Sequence, residues 1–314
     1  MAAPWHEHGF RFLRYEPSPL EREWFELVNA TRPLGCGVWH PDSVLAARIS
    51  ANVTALAEMT PSQMVYADGH GREHTVGIEP LVSSLRHPRL LTPGSHTRSA
   101  LMDKRHLRIP SSDDLVRLGK RGARAILVDL GAGMFASGAP GSANGGSLGW
   151  IPQRFGEVGV HFDRIFAWEA RGYSARTLWQ TIPPEMVPTL SYYNVPCEVA
   201  PNSSHNPWRV LGAVATKQDY VVVKIDIDHQ ATELALVEQL LSGSSPASEL
   251  VDEIFWEHHV AGSVVACPTL WGCGHGNGWE KMRFNKSDER ETLFGSYSLF
   301  STLRARGIRA HSWV

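Results

Sequence analysis

The chain has 314 residues, 43% hydrophobic and 20% charged, with a formal net charge of −2. That balance describes a globular chain able to bury a sizeable core, as one elaborated domain or one domain with an extension, and gives no electrostatic case for a nucleic-acid partner. No apolar run approaches the roughly 20 residues of a membrane span. The N-terminal Met-Ala-Ala-Pro-Trp-His-Glu-His lacks the apolar core of a signal peptide, and Cys36, Cys197, Cys267 and Cys273 form no Cys-x-x-Cys pair, so the expectation is a cytoplasmic protein with free thiols and no membrane partner.

In chain order, the first stretch, to residue 40, is rich in aromatics, proline and charge without a clear period. Asp42 and Ser43 offer a cap for a helix reaching Met59, with Leu45, Ile49, Val53 and Leu56 on one face. Residues 60–110 read as loop-rich, with a short helix after Pro80. Ser111-Ser-Asp-Asp114 reads as a cap leading into a short helix at Leu115. Residues 1–120 are therefore expected to form a mainly helical and loop-built cap, and 121–314 the main domain.

The main domain alternates short apolar strands, over 124–130, 164–169, 189–195, 219–227 and 251–258, with helical or loop segments. This βαβ rhythm predicts a parallel sheet covered on both faces, and the tail 299–314 adds a helix, a glycine stop and a last strand. The run Arg124-Ala-Ile-Leu-Val-Asp-Leu-Gly-Ala-Gly133 ends in Asp129 and a turn in which Gly131 and Gly133 would let a ligand approach the backbone. Asp163-Arg-Ile-Phe-Ala-Trp-Glu169 repeats the theme, and Glu169 could accept both hydroxyls of a ribose. Gly131-Ala-Gly133-Met-Phe-Ala lacks the third glycine of a dinucleotide fingerprint, and Asp129 is badly placed beside phosphates. An acid there better suits the cationic amino-acid end of S-adenosylmethionine. Residues 136–150, rich in Gly and Ser, read as a flap beside the cofactor or as an inert insertion.

Two later strands carry further candidates. In Tyr220-Val-Val-Val-Lys-Ile-Asp-Ile-Asp-His229, strand alternation puts Lys224, Asp226 and Asp228 on one face, and Asp226, Asp228 and His229 are expected to rim the same cleft as Asp129 and Glu169. Lys224 and Asp226 could instead be a structural ion pair. In Val251-Asp-Glu-Ile-Phe-Trp-Glu-His-His259, Glu257 and His259 share a face and His258 points the other way. If these strands are neighbours, Asp228, His229, Glu257 and a histidine converge. Such a group can hold a general base near neutrality, bind a divalent metal, or be structural. The glycine-rich loop Trp271–Trp279 could close over a substrate or pack its indoles inward.

Asp129-Leu-Gly-Ala resembles the first motif of class I methyltransferases, and is especially close to their FkbM-like branch. Asp226-Ile-Asp-His229 is similar to that branch's Asp-Ile-Glu/Asp-Gly pattern after the fourth strand, with His229 in place of glycine. The resemblance implies a Rossmann-like fold with a mostly parallel seven-stranded sheet and helices on both faces. It implies S-adenosyl-L-methionine held by Asp129, Gly131, Gly133, Glu169 and Asp226, with Asn194 and Val195 near the adenine. The implied reaction is methyl transfer to a small-molecule acceptor, O-methylation favoured and S- or N-methylation open, with His259, His258 or His229 as base beside Asp228. The acceptor's identity and self-association into a homo-oligomer stay open. The alternatives are a metal-dependent enzyme on the same fold, with Asp228, Glu257 and His259 as ligands, and a non-catalytic binding protein.

Overall fold

The computed structural model describes residues 10–31, 60–81, 104–135, 146–259 and 288–313. Near the N-terminus, β1 (Arg11–Glu16), β2 (Ser62–Ala67) and β3 (Glu73–Ile78) form a three-stranded antiparallel sheet in that order, and helix α1 (Pro19–Thr31) follows β1. A mainly helical cap is not what the described residues of this region show: the three strands stand beside α1 in a mixed α/β unit. Met64-Val-Tyr-Ala and Thr75-Val-Gly-Ile flank an Asp68-Gly69 turn, a hairpin signal the sequence carries. The Asp68 carboxylate accepts from the His70 and Arg72 amides, each at 2.9 Å, and fixes that turn. The helix expected over 42–59, most of the one expected after Pro80, and the loop 271–279 lie outside the described residues.

The second sheet has six strands: β4 (Ala125–Leu130), β5 (Phe162–Trp168), β6 (Leu190–Tyr193), β7 (Tyr220–Ile225), β8 (Glu253–Trp256) and β9 (Arg309–Ser312). Their order is β6-β5-β4-β7-β8-β9, and every neighbouring pair is parallel. This is a doubly wound Rossmann-like arrangement. Of the expected seven strands the described residues supply six, and the tail strand β9 pairs directly with β8.

Alternation in the central strands sorts the core. Ile126, Val128 and Leu130 on β4, with Val221, Val223 and Ile225 on β7, meet α1 and helices α5 (Pro207–Val214), α6 (Gln230–Ser242) and α7 (Leu293–Ala305). Ala125, Leu127, Tyr220 and Val222 face the opposite way, toward α3 (Ser147–Gly156) and the small antiparallel sheet. Two short helices complete the described set, α2 (Ser112–Arg117) and α4 (Ala175–Trp179). Ser111 caps α2 in a capping box with Asp114, as the Ser-Ser-Asp-Asp run predicts. The last residues of the Gly/Ser-rich stretch are helical: Gly146 is the N-cap of α3, and 136–145 lie outside the described residues.

A buried network of charges joins the two sheets. His311 on β9 bridges Glu79, just beyond β3, at 2.8 Å and Glu253 on β8 at 2.7 Å. Arg304 on α7 donates to the Tyr15 hydroxyl at 2.8 Å and to the Glu79 carbonyl at 2.9 Å.

Candidate functional site

The strand order reverses between β4 and β7, and the crevice outside their carboxyl ends is where open α/β sheets bind ligands. Gly131 leaves β4 at φ +81°, and a Cβ there would lie 1.6 Å from the Asp226 carbonyl oxygen. The close pass of the β7 exit loop by itself demands the glycine. Its amide and that of Ala132 donate to the Trp168 carbonyl at 2.9 and 3.0 Å, tying the β4 turn to the end of β5.

Asp129 and Lys224 are opposite each other in the β4–β7 register and both are buried. The Lys224 ammonium lies 2.8 Å from the Gly131 carbonyl, 3.1 Å from the Asp226 carboxylate and 3.5 Å from that of Asp129. Burial opposes its charge, but Asp226 and Asp129 outweigh that and hold the ammonium above its ordinary range. Asp129 accepts from the Ser147 hydroxyl at 2.6 Å, and burial raises its carboxyl above the ordinary value despite Lys224. Asp129 is fully enclosed, so the cation beside it is Lys224. Asp226 is held below its ordinary value: burial opposes this, and Lys224, Glu257 and His259 prevail. The Trp313 indole N–H also donates to Asp226, at 3.1 Å. The structural ion pair open at Lys224 and Asp226 is present.

On the β5 side, Gly133, at φ +61°, donates to Glu169 at 2.9 Å, and the Arg171 amide donates to the other carboxylate oxygen at 2.7 Å. Glu169 is half-buried at the tip of β5. Asn194 is turned to the loop after β5: its amide donates to the carbonyls of Glu169 and Arg171, and its oxygen accepts from the Tyr173 amide at 2.8 Å. Val195 packs against the core on the α5–α6 side of the sheet. Trp168 is buried and stacks on Tyr193 at 4.4 Å.

On the other side, β7 ends at Ile225 and Asp228 adopts φ +54°, so strand alternation does not carry through to it. That corrects the shared face expected for Lys224, Asp226 and Asp228: Lys224 and Asp226 meet inside, while the Asp228 side chain is 60% exposed. The Glu257 amide continues the β7–β8 pairing by donating to the Ile225 carbonyl at 2.9 Å. His259 Nε2 lies 3.6 Å from Glu257 Oε2 and 3.8 Å from Asp228 Oδ1. Asp228, Glu257 and His259 therefore come together, one potential ligand atom from each within 4.8 Å of the others. His258 turns the other way, stacks on Trp256 and pairs with Ser296 on α7 at 2.8 Å. His229 is exposed at the N-cap of α6 with its ring on Thr232 at 2.8 Å, outside this group.

Glu233 was not legible as a site residue. From the first turn of α6 its carboxylate accepts from the Ile227 amide at 3.0 Å and the Trp256 indole at 3.2 Å, fixing the loop that carries Asp226 and Asp228. Burial pushes its carboxyl up to about 7. The signal for it is an acid in the first turn of a helix immediately after a strand, on the buried side with Leu234, Leu236 and Val237. Comparison with known proteins adds no relative: no protein-family model, no curated protein and no solved structure matches this chain.

Proposed function

We propose that the chain is an S-adenosylmethionine-dependent methyltransferase acting on a small-molecule acceptor. The observation that carries this reading is the Glu169 carboxylate, one strand from the switch point and oriented by the amides of Gly133 and Arg171. A carboxylate has about four acceptor positions, so two remain for the two hydroxyls of a ribose. The residues fit the nucleoside half of the cofactor. The amino-acid half does not draw on Asp129, which is enclosed between Ser147 and Lys224.

A dinucleotide fits less well. Ser147, the first residue of α3, already donates to Asp129, so negative charge sits under the helix N-terminus where a pyrophosphate would bind. S-adenosylmethionine supplies the activated methyl group. The chain's own residues orient the partners, which is the main demand of an in-line transfer from an activated donor. Three strand spacings, about 14 Å, separate the tips of β5 and β8. That edge accommodates a nucleoside over Glu169 and an acceptor over β7 and β8, with Asp228, Glu257 and His259 on the acceptor side to handle its proton.

Calorimetric titration of the full chain with S-adenosylhomocysteine tests the reading. The expected result is one-to-one micromolar binding, weakened about tenfold or more in Glu169→Ala by loss of the ribose hydrogen bonds. Absence of binding, or equal affinity in the variant, overturns it.

A further inference from the structure

We infer that Asp228, Glu257 and His259 form a binding site for one first-row divalent cation. The separations from His259 Nε2, 3.6 Å to Glu257 and 3.8 Å to Asp228, exceed the hydrogen-bond range of about 2.7–3.2 Å. They suit a coordination sphere: ligands about 2.1 Å from a tetrahedral centre lie about 3.4 Å apart, and longer metal–oxygen bonds widen that. Three ligand atoms from two neighbouring strand ends, all within 4.8 Å of one another, enclose a single point.

Each ligand is held by the fold rather than by a flexible tail. Glu257 and His259 share a face two residues apart beyond β8, and the Glu257 amide is fixed to the Ile225 carbonyl. Asp228 is delivered by the left-handed turn after β7, whose Ile227 amide is fixed by Glu233. The side chains of Glu257 and His259 are 8% and 2% exposed, against 60% for Asp228. Two ligands thus form a back wall and the third stands at the solvent side, leaving coordination positions there for water or an oxygen of an incoming molecule, as in metal sites that act on a ligand. One imidazole and two carboxylates suit Mn²⁺, Fe²⁺ or Zn²⁺ better than the all-oxygen preference of Ca²⁺ or the thiolate preference of softer ions. The location, beside the proposed acceptor position, gives the cation the task of seating an acceptor oxygen. Only that task rests on the methyl-transfer reading; the binding site does not.

The test is titration of the full chain with Mn²⁺ alone, following free Mn²⁺ by electron paramagnetic resonance and open coordination positions by water-proton relaxation. One Mn²⁺ per chain is expected, with enhanced relaxation. Asp228→Asn, at an exposed side chain, and His259→Gln, with its fold checked by near-ultraviolet circular dichroism, are each expected to raise the Kd about tenfold or more. No binding below millimolar Mn²⁺, or an unchanged Kd in folded Asp228→Asn, overturns the inference. Mn²⁺ binding without S-adenosylhomocysteine binding supports the site while removing the proposed function; the reverse result removes the site alone.

Discussion

Two glycines in one turn answer to different demands. At Gly131 a side chain would collide with the Asp226 carbonyl oxygen at 1.6 Å, and φ is +81°. Backbone must move before any Cβ fits, and the loop that would move carries Asp226 and Asp228. Gly131→Ala is expected to destabilise the fold by about 3 kcal/mol or more, read as a lower urea midpoint. Gly133, whose positive φ is +61°, is expected to lose only about 1–2 kcal/mol on the same substitution. Equal losses at the two positions would sink the distinction. The Gly-x-Gly spacing was plain in the sequence, but its cause was not, because the colliding atom comes from a segment 95 residues away along the chain.

Elements set the site by where they end. β7 stops at Ile225, the Asp228 turn follows, and α6 begins at Gln230 with Glu233 reaching back to Ile227 and across to Trp256 on β8. Glu233→Ala leaves two donors with no acceptor there and is expected to cost about 1–3 kcal/mol. Its pH dependence has a defined sign. A carboxyl raised to about 7 binds protons in the folded state that the unfolded chain has released, so stability falls as pH rises from the ordinary value of 4.5 toward 7. Denaturation between pH 5 and 7 should show that slope in the wild type and a flatter one in Glu233→Ala. An unchanged slope would show that Glu233 is not the titrating group.

At the scale of the whole molecule, the small antiparallel sheet is locked to the large one by charge as well as by apolar packing. His311, buried between Glu79 and Glu253, is held above its ordinary pKa: burial opposes its charge and the two carboxylates prevail. Glu79 is lowered to about 2, again against its burial, chiefly by His311 and Arg304. The signs follow from linkage. The His311 contribution is complete below 6.5 and is lost as pH climbs through its raised folded value; the Glu79 contribution is complete above 4.5 and is lost as pH falls toward 2. His311→Gln leaves buried carboxylates short of their cation and is expected to cost about 3–5 kcal/mol and to remove the alkaline loss of stability. Thermal melts at pH 6 and pH 9 measure both, and a variant that retains the wild-type alkaline slope would exclude His311 as its source.

The sequence alone determined the parallel sheet, since buried strands ended by glycine or acids and spaced by helical segments have no other way to cover both faces. It also determined that Glu257 and His259 share a face and His258 does not, because that depends only on a period of two. It left the N-terminal region unread, although Asp68-Gly69 between two β-prone runs marks the hairpin; aromatic and charged surroundings masked the alternation. Tertiary structure decided what local pattern cannot. The tail strand lies directly on β8, Lys224 on the neighbouring strand faces Asp129, and a left-handed residue at Asp228 swings one carboxylate out of its strand toward His259. Each of these depends on segments that meet only after the chain has folded, where burial sets the cost of every unpaired charge.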